Sequence, residues 1–155
     1  MGWYRSVIIW FGRVGLARRL SPLVTRLDRF LYRRSKGRVV ATGPQVFPTL
    51  LLTTLGRKSG LQRTVPLLYL EDGDRLVVVA SNWGRPDHPA WSSNLLAKPE
   101  ASIQRGGERF GVKATQASQS EVERVWPRLL EIWPPWTQYS RRTQRRFRIF
   151  FLARQ

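Results

Sequence analysis

The chain has 155 residues, 42% of them hydrophobic, which suits one domain with a real core and argues against a disordered chain. Its 27 Lys and Arg against 10 acids give a net charge of +17, which would attract nucleic acid, anionic lipid or a polyanionic small molecule. The absence of cysteine excludes disulfides, cysteine zinc sites and thiol catalysis and fits a reducing cytosol, while the single His88 excludes a multi-histidine metal site, so no metal is expected.

Residues 1–40 carry ten Lys or Arg and one acid, Asp28. Trp3, Val7, Trp10, Val14 and Ala17 recur in steps of three and four and define a helical apolar stripe. Arg5, Arg13, Arg18 and Arg19 interrupt it, so no stretch reaches the ~18–20 uncharged residues of a spanning helix. Arg13 also falls where a signal peptide needs its apolar region. Ser21-Pro22 reads as an N-cap and first-turn proline, opening a second helix to about Arg33. Two readings stand for residues 1–35: an amphipathic segment lying on an anionic membrane surface, or helices packed on the protein's own core. Residues 36–155 are expected to form the second unit, beginning with a Gly- and Pro-punctuated linker or irregular first strand over 36–48.

A regular β series follows. Strands are predicted at about 49–54, 62–70 and 75–81, the last two joined by Asp72-Gly73-Asp74. Pro66 inside the second marks an edge or a bulge. The segment 81–86 reads as a loop, and His88 as a loop histidine. Pro89 opens a short helix to Lys98, with Trp91, Leu95 and Leu96 on one side. Strands at about 101–105 and 108–115 flank Gly106-Gly107. Ser120 with Glu123 resembles a capping box for a helix to about Trp133, which Pro134-Pro135 ends. A short helix over about 136–144 and a strand over 148–152 close the chain. The fold class is α+β: a small, mostly antiparallel barrel of five or six strands with helices around it.

The first two strands meet at Gly56-Arg57-Lys58-Ser59-Gly60. Such a turn can offer backbone N–H groups, a hydroxyl and positive charge to one anion, most naturally a phosphate, or it can be a solvated hairpin tip.

Several pieces standing in order along 51–152 resemble the deazaflavin-dependent nitroreductase family, within the flavin/deazaflavin oxidoreductases of split β-barrel fold. They are Leu52 to Gly60, Arg63, Pro66-Leu67, Asp72-Gly73-Asp74 and Val78-Val79-Ala80-Ser81. His88-Pro89-Ala90-Trp91, Asn94-Leu95, Lys98-Pro99 and the run Trp133 to Tyr139 with Thr143 complete the set. The resemblance covers about two thirds of the chain. It implies a split β-barrel of 5–7 strands and an oxidoreductase using reduced coenzyme F420, whose tail carries a phosphate and glutamates. By analogy Arg57, Lys58, Ser59 and Arg63 hold that tail, and Thr64, Val65, Pro66, Leu67 and Leu68 line the cofactor. Val79, Ala80, Ser81 and Asn82 contact the ring, and Ala90, Trp91, Ser92, Ser93 and Asn94 form the far wall. Trp91 equally suits a core anchor.

The same resemblance implies hydride transfer to a lipophilic acceptor, with Ser81, Tyr139 or solvent as the proton source. The acceptor would meet Leu68, Ser81, Trp133, Trp136 and Tyr139, and Trp136 would also border the cofactor. Family members that reduce nitroimidazoles carry tyrosine at the positions matching Leu68, Trp133, Trp136 and Tyr139, whereas only Tyr139 is a tyrosine here. The pocket is therefore bulkier and more apolar, which favours a quinone of the menaquinone type over a nitroaromatic. Two alternatives remain: an FMN enzyme on a similar barrel, and a basic nucleic-acid-binding barrel that uses Arg141 to Phe147. The expected location is cytoplasmic, with residues 1–35 on the membrane face.

Overall fold

A computed structural model describes residues 47–155, the short pairs 39–40 and 43–44, and positions 27, 30, 31 and 34. The first predicted helix lies outside the described residues. Within the second, positions 27, 30, 31 and 34 are helical, and Leu27 and Phe30 are exposed.

Val39–Val40 (β1) and Gly43–Pro44 (β2) pair as a short antiparallel ribbon. The body is a closed barrel of Thr49–Leu55 (β3), Gln62–Asp72 (β4), Arg75–Ala80 (β5), Glu100–Arg105 (β6), Glu108–Gln116 (β7) and Arg148–Arg154 (β8). Its order is β3-β4-β5-β8-β7-β6, with β3 pairing back to β6, and every pair is antiparallel. Short turns join three of the pairs. The crossover from β5 carries Ala90–Ala97 (α1), and the crossover from β7 carries Gln119–Ile132 (α2) and Trp136–Arg142 (α3).

Side chains alternate across a strand, so each strand feeds two cores. Leu50, Leu52, Val78, Ile103, Val112 and Phe150 fill the barrel, and Trp91 and Leu95 of α1 pack on them. The opposite faces of β4, β5 and β8 give Leu70, Val77, Val79, Ile149 and Phe151 to a second layer under α2 and α3. Burying side chains of this size contributes ~1.5–3 kcal/mol each.

β4 is paired unequally. Its residues 62–68 pair with β3 and its residues 69–72 with β5. Pro66 lies in the half paired with β3 alone, so its missing N–H leaves no gap in a two-sided ladder.

Three details differ from expectation. The capping box of α2 is Ser118 with Glu121, where Ser118 accepts from the Glu121 amide and the Glu121 carboxylate accepts from the Ser118 amide. The pattern Ser-x-x-Glu occurs twice within three residues of sequence, and the helix takes the first of them, directly after the amide of Ala117 bonds Ile149. Leu96 is 48% exposed, because it sits about 100° around α1 from Leu95 and off the Trp91–Leu95 face. The segment after β5 contains a 3-10 turn, Asn82–Gly84.

Candidate functional site

The turn between β3 and β4 is closed by backbone bonds from Gly56 N to Leu61 O and from Gly60 N to Gly56 O, both 2.8 Å. A Cβ at Gly56 would lie 2.6 Å from Ser59 Oγ and 3.2 Å from Leu61 O, so a larger residue would displace the Ser59 hydroxyl and crowd the bond that closes the turn. Arg57, Lys58, Ser59 and Arg63 are all exposed here. Two donors and acceptors of the turn are used internally. The Arg57 amide donates to Asn94 Oδ1 at 3.1 Å, and Ser59 Oγ accepts from the Leu61 amide at 3.3 Å. Asn94 is 4% exposed and also donates to Thr54 Oγ1, so it is the bolt between α1 and the turn. A groove of about 260 Å³ runs beside the turn, lined by Thr53, Leu55, Gln62, Lys98, Glu100 and Ser102 among others.

Of the predicted lining of β4, Val65 and Leu67 face the barrel core, and Leu68 borders the helical layer. Thr64 Oγ1 bonds Thr53 Oγ1 at 2.8 Å, which pins the free half of β4 to β3. Val79 packs under the helices and Ala80 faces the barrel, so both are buried; Ser81 and Asn82 are the partly exposed pair.

Past Ser81 the backbone turns left-handed at three residues in a row: Asn82 (φ 48°), Trp83 (φ 57°) and Gly84 (φ 71°). For Trp83 this conformation is strained and must be held from outside. Arg145 holds it. Its Nη2 donates to Ser81 O at 2.7 Å, its Nε to Arg85 O at 3.0 Å and its Nη1 to Ala80 O at 3.1 Å. Asn82 Nδ2 donates to Asp87 O, and Trp83 packs on Tyr139 of α3. Sequence reading placed Arg145 only in a basic run; nothing in Arg141 to Arg146 marks which arginine turns inward.

Arg145 Nη1 also lies 3.3 Å from His88 Nδ1. Burial, then the charges of Arg148 and Arg145, push the His88 imidazole below its usual value. Burial first and Arg148 second lower the Arg145 guanidinium. Arg148 donates to Ser93 Oγ at 3.1 Å and Ser92 Oγ at 3.4 Å, which ties the start of β8 to the predicted far wall. Trp91 of that wall is 6% exposed and packs on Phe150, so it anchors the core; Ala90 is exposed.

The predicted acceptor residues gather under α2 and α3. Trp136 Nε1 donates to Ser81 Oγ at 3.2 Å, which joins two of them directly. Trp133, Trp136 and Tyr139 are 7%, 4% and 2% exposed. Burial pushes the Tyr139 phenol up to about 12, against a hydrogen bond with Trp133 that lowers it. Phe47 meets Trp133 edge to face, and Trp126 stacks on Trp136.

Charge is segregated along the barrel. Six ion pairs use Glu71, Asp72, Glu108 and Glu121, all at the end that carries the Gly73 turn. At the opposite end Arg57, Lys58, Arg63, Arg145 and Arg148 stand outside any ion pair among the described residues. A closed antiparallel barrel with a half-paired strand, a helical cover and one cationic end has the form of a split-barrel protein that binds an anionic cofactor.

The family model for F420H(2)-dependent quinone reductase matches residues 24–154. The chain belongs to that family, which makes it an oxidoreductase with reduced coenzyme F420 as reductant and a quinone as acceptor. An F420H(2)-dependent quinone reductase of Mycobacterium tuberculosis is 36% identical over 143 residues, covering 90% of this chain and 96% of the relative. A second, putative one from the same organism is 38% identical over 105 residues, covering 68% and 88%. Among solved structures, an F420-H2 dependent reductase (FDR-A) is 36% identical with a TM-score of 0.63, covering 68% of this chain and 94% of that one. A putative pyridoxamine 5'-phosphate oxidase from Listeria innocua shares the fold alone, at 13% identity and a TM-score of 0.50, covering 70% and 84%.

Proposed function

We propose that the cationic end of the barrel holds the reduced coenzyme and presents it to a lipophilic quinone. The observation that carries this reading is the segregation of charge, which leaves cations at the end where residues 62–68 of β4 lack β5 as a neighbour. A flat ring with a polyanionic tail fits that end. Arg57 and Lys58 project from the exposed turn and Arg63 from the start of β4 next to it, and together they can surround a phosphate, with Ser59 beside them. Thr64 to Leu68 run along the open edge, Val79 to Asn82 support the ring, and Ala90 to Asn94 close the far side. When bound, the coenzyme supplies the hydride. The chain binds, orients and excludes water.

The acceptor lies against Leu68, Ser81, Trp133, Trp136 and Tyr139. Ser81 accepts from Trp136 and keeps its own hydroxyl hydrogen, so it can donate to a reduced acceptor oxygen. The apolar indoles favour a quinone over a nitroaromatic. The internal use of Arg145 removes one arginine from the run a nucleic-acid interface would need.

Residues 1–35 form, in this reading, a separate basic segment that lies on the cytoplasmic face of an anionic membrane, where a lipophilic quinone is found. Exposure of Leu27 at 50% and Phe30 at 61% supports it. No helix among the described residues is long and apolar enough to cross a membrane.

The test is equilibrium binding of oxidised F420, followed by its fluorescence, at low and high salt. Wild type binds and weakens with salt, and Lys58→Ala/Arg63→Ala binds at least about tenfold more weakly. Equal binding by the two proteins would remove the turn from the site. Sedimentation with anionic vesicles, with and without residues 1–35, tests the membrane segment.

A further inference from the structure

We propose that Arg148, His88 and Ser93, backed by Arg145, form an anion subsite beside Ser81 that takes an anionic oxygen group of a bound ligand. It rests on the reading that this end of the barrel holds the coenzyme, and it is separate from the turn. Asn94 ties α1 to the turn, whereas Ser92 and Ser93 bond to Arg148.

Arg148 is half-buried, and among the described residues only its Nη1 finds protein partners, two serine hydroxyls at 3.1 and 3.4 Å. A guanidinium has five N–H donors, so most of its capacity is unused. Arg145, three residues away, spends its donors on carbonyls instead. It also settles the state of His88. Arginine can only donate, so Nδ1 of His88 accepts and the neutral ring carries its hydrogen on Nε2. That Nε2–H has no acceptor among the described residues. Two cations and a histidine thus share one corner, and among the described residues the one acid acting on His88 and Arg145 is Asp87, which is exposed. The corner holds surplus donors and uncompensated positive charge, which is what an anion supplies.

Two sources offer that chemistry. One is an acid of the coenzyme's tail. The other is the acceptor: a hydride brings the quinone two electrons and one hydrogen, leaving a hydroquinone monoanion that then takes a proton, through Ser81 or from solvent. Both present an anionic oxygen.

The single histidine makes the test direct, because the ring resonances of His88 need no assignment. The full chain is titrated by proton NMR alone, with inorganic phosphate and with oxidised F420. His88 should titrate low when unliganded and move up with either ligand, and Arg148→Met should raise the unliganded value and abolish the phosphate response. Arg148→Lys should keep part of it. Binding and turnover then separate the sources. If the tail is the ligand, Arg148→Met weakens F420 about tenfold and leaves the tail-less chromophore unchanged. If the quinone is, both affinities hold and kcat with menadione falls about tenfold at unchanged KM. A His88 titration indifferent to phosphate and to F420, or an Arg148→Met protein unchanged in binding and turnover, overturns the subsite. Failure of wild type to bind F420 while phosphate still shifts His88 would instead overturn the coenzyme reading and leave the subsite standing.

Discussion

Replacing Arg145 by methionine would remove the clamp on the left-handed turn. The arginine donates to three carbonyls, those of Ser81, Arg85 and Ala80, at 2.7, 3.0 and 3.1 Å. A hydrogen bond from a charged group contributes ~1.5–3 kcal/mol, and at a half-buried site water recovers part of that, leaving ~1 kcal/mol for each. Arg145→Met should therefore cost ~3 kcal/mol, and for a chain of this size ~1 kcal/mol moves Tm by ~2–4 °C, so Tm should fall by ~6–12 °C. Lysine can reach one carbonyl at a time and should restore about a third of the loss. The control is Arg154→Met, which loses an ion pair with Glu108 whose side chains are both about 60% exposed and a contact 4.3 Å over the Phe110 ring, and should cost no more than ~1 kcal/mol. Thermal and urea unfolding of the three variants measures this. Arg145→Met no worse than Arg154→Met would refute the clamp.

Other consequences follow from single contacts. In Gly84→Ala the new Cβ would meet Tyr139 Cα at 3.0 Å and its carbonyl oxygen at 3.1 Å with φ at +71°, so a loss of ~1–3 kcal/mol is expected in urea unfolding. Asp72 accepts both nitrogens of Arg124, at 2.8 and 2.7 Å, and one of Arg128, at 2.8 Å. Arg124 first, and then Arg128, hold its carboxyl well below the usual carboxylate range. A depressed folded value means the stabilisation is present above the unfolded value of about 4 and is lost as pH falls below it. Asp72→Asn should thus lose ~1 kcal/mol at pH 7 and converge on wild type in acid, as read from urea midpoints across pH. Tyr139 has the opposite sign: its phenol, pushed up to about 12, stays neutral while the unfolded one ionises near 10. Stability should therefore decline as pH rises from about 10 towards 12, and spectrophotometric titration of wild type against Tyr139→Phe should show Tyr139 ionising late.

Much of the barrel was legible because its signals are local. Alternating apolar runs located all six barrel strands to within two residues, and Asp72-Gly73-Asp74 located a hairpin. Pro66 announced the half-paired strand, since proline cannot serve a two-sided ladder. What escaped depends on distant partners. Arg145 is one of several arginines in a run and becomes a clamp only because residues 80–88 return to it across the barrel. Asn94 was placed in the site, yet its role as the link between turn and helix needs a partner 37 residues away. The two possible capping boxes obey the same local rule, and the helix uses the earlier, Ser118, directly after Ala117 leaves the sheet. The indoles of Trp133 and Trp136 read as pocket lining in sequence and are buried among helices in the fold, with Trp136 still reaching Ser81.

The most direct measurement is turnover. The purified protein is mixed with reduced F420 and menadione, and reoxidation of the coenzyme is followed by its absorbance. Quinone-dependent reoxidation that collapses in Lys58→Ala/Arg63→Ala, and that falls with added salt, is the predicted result. Wild-type protein that leaves the coenzyme reduced, or a double variant as active as wild type, would contradict a quinone reductase whose coenzyme sits at the cationic end of the barrel.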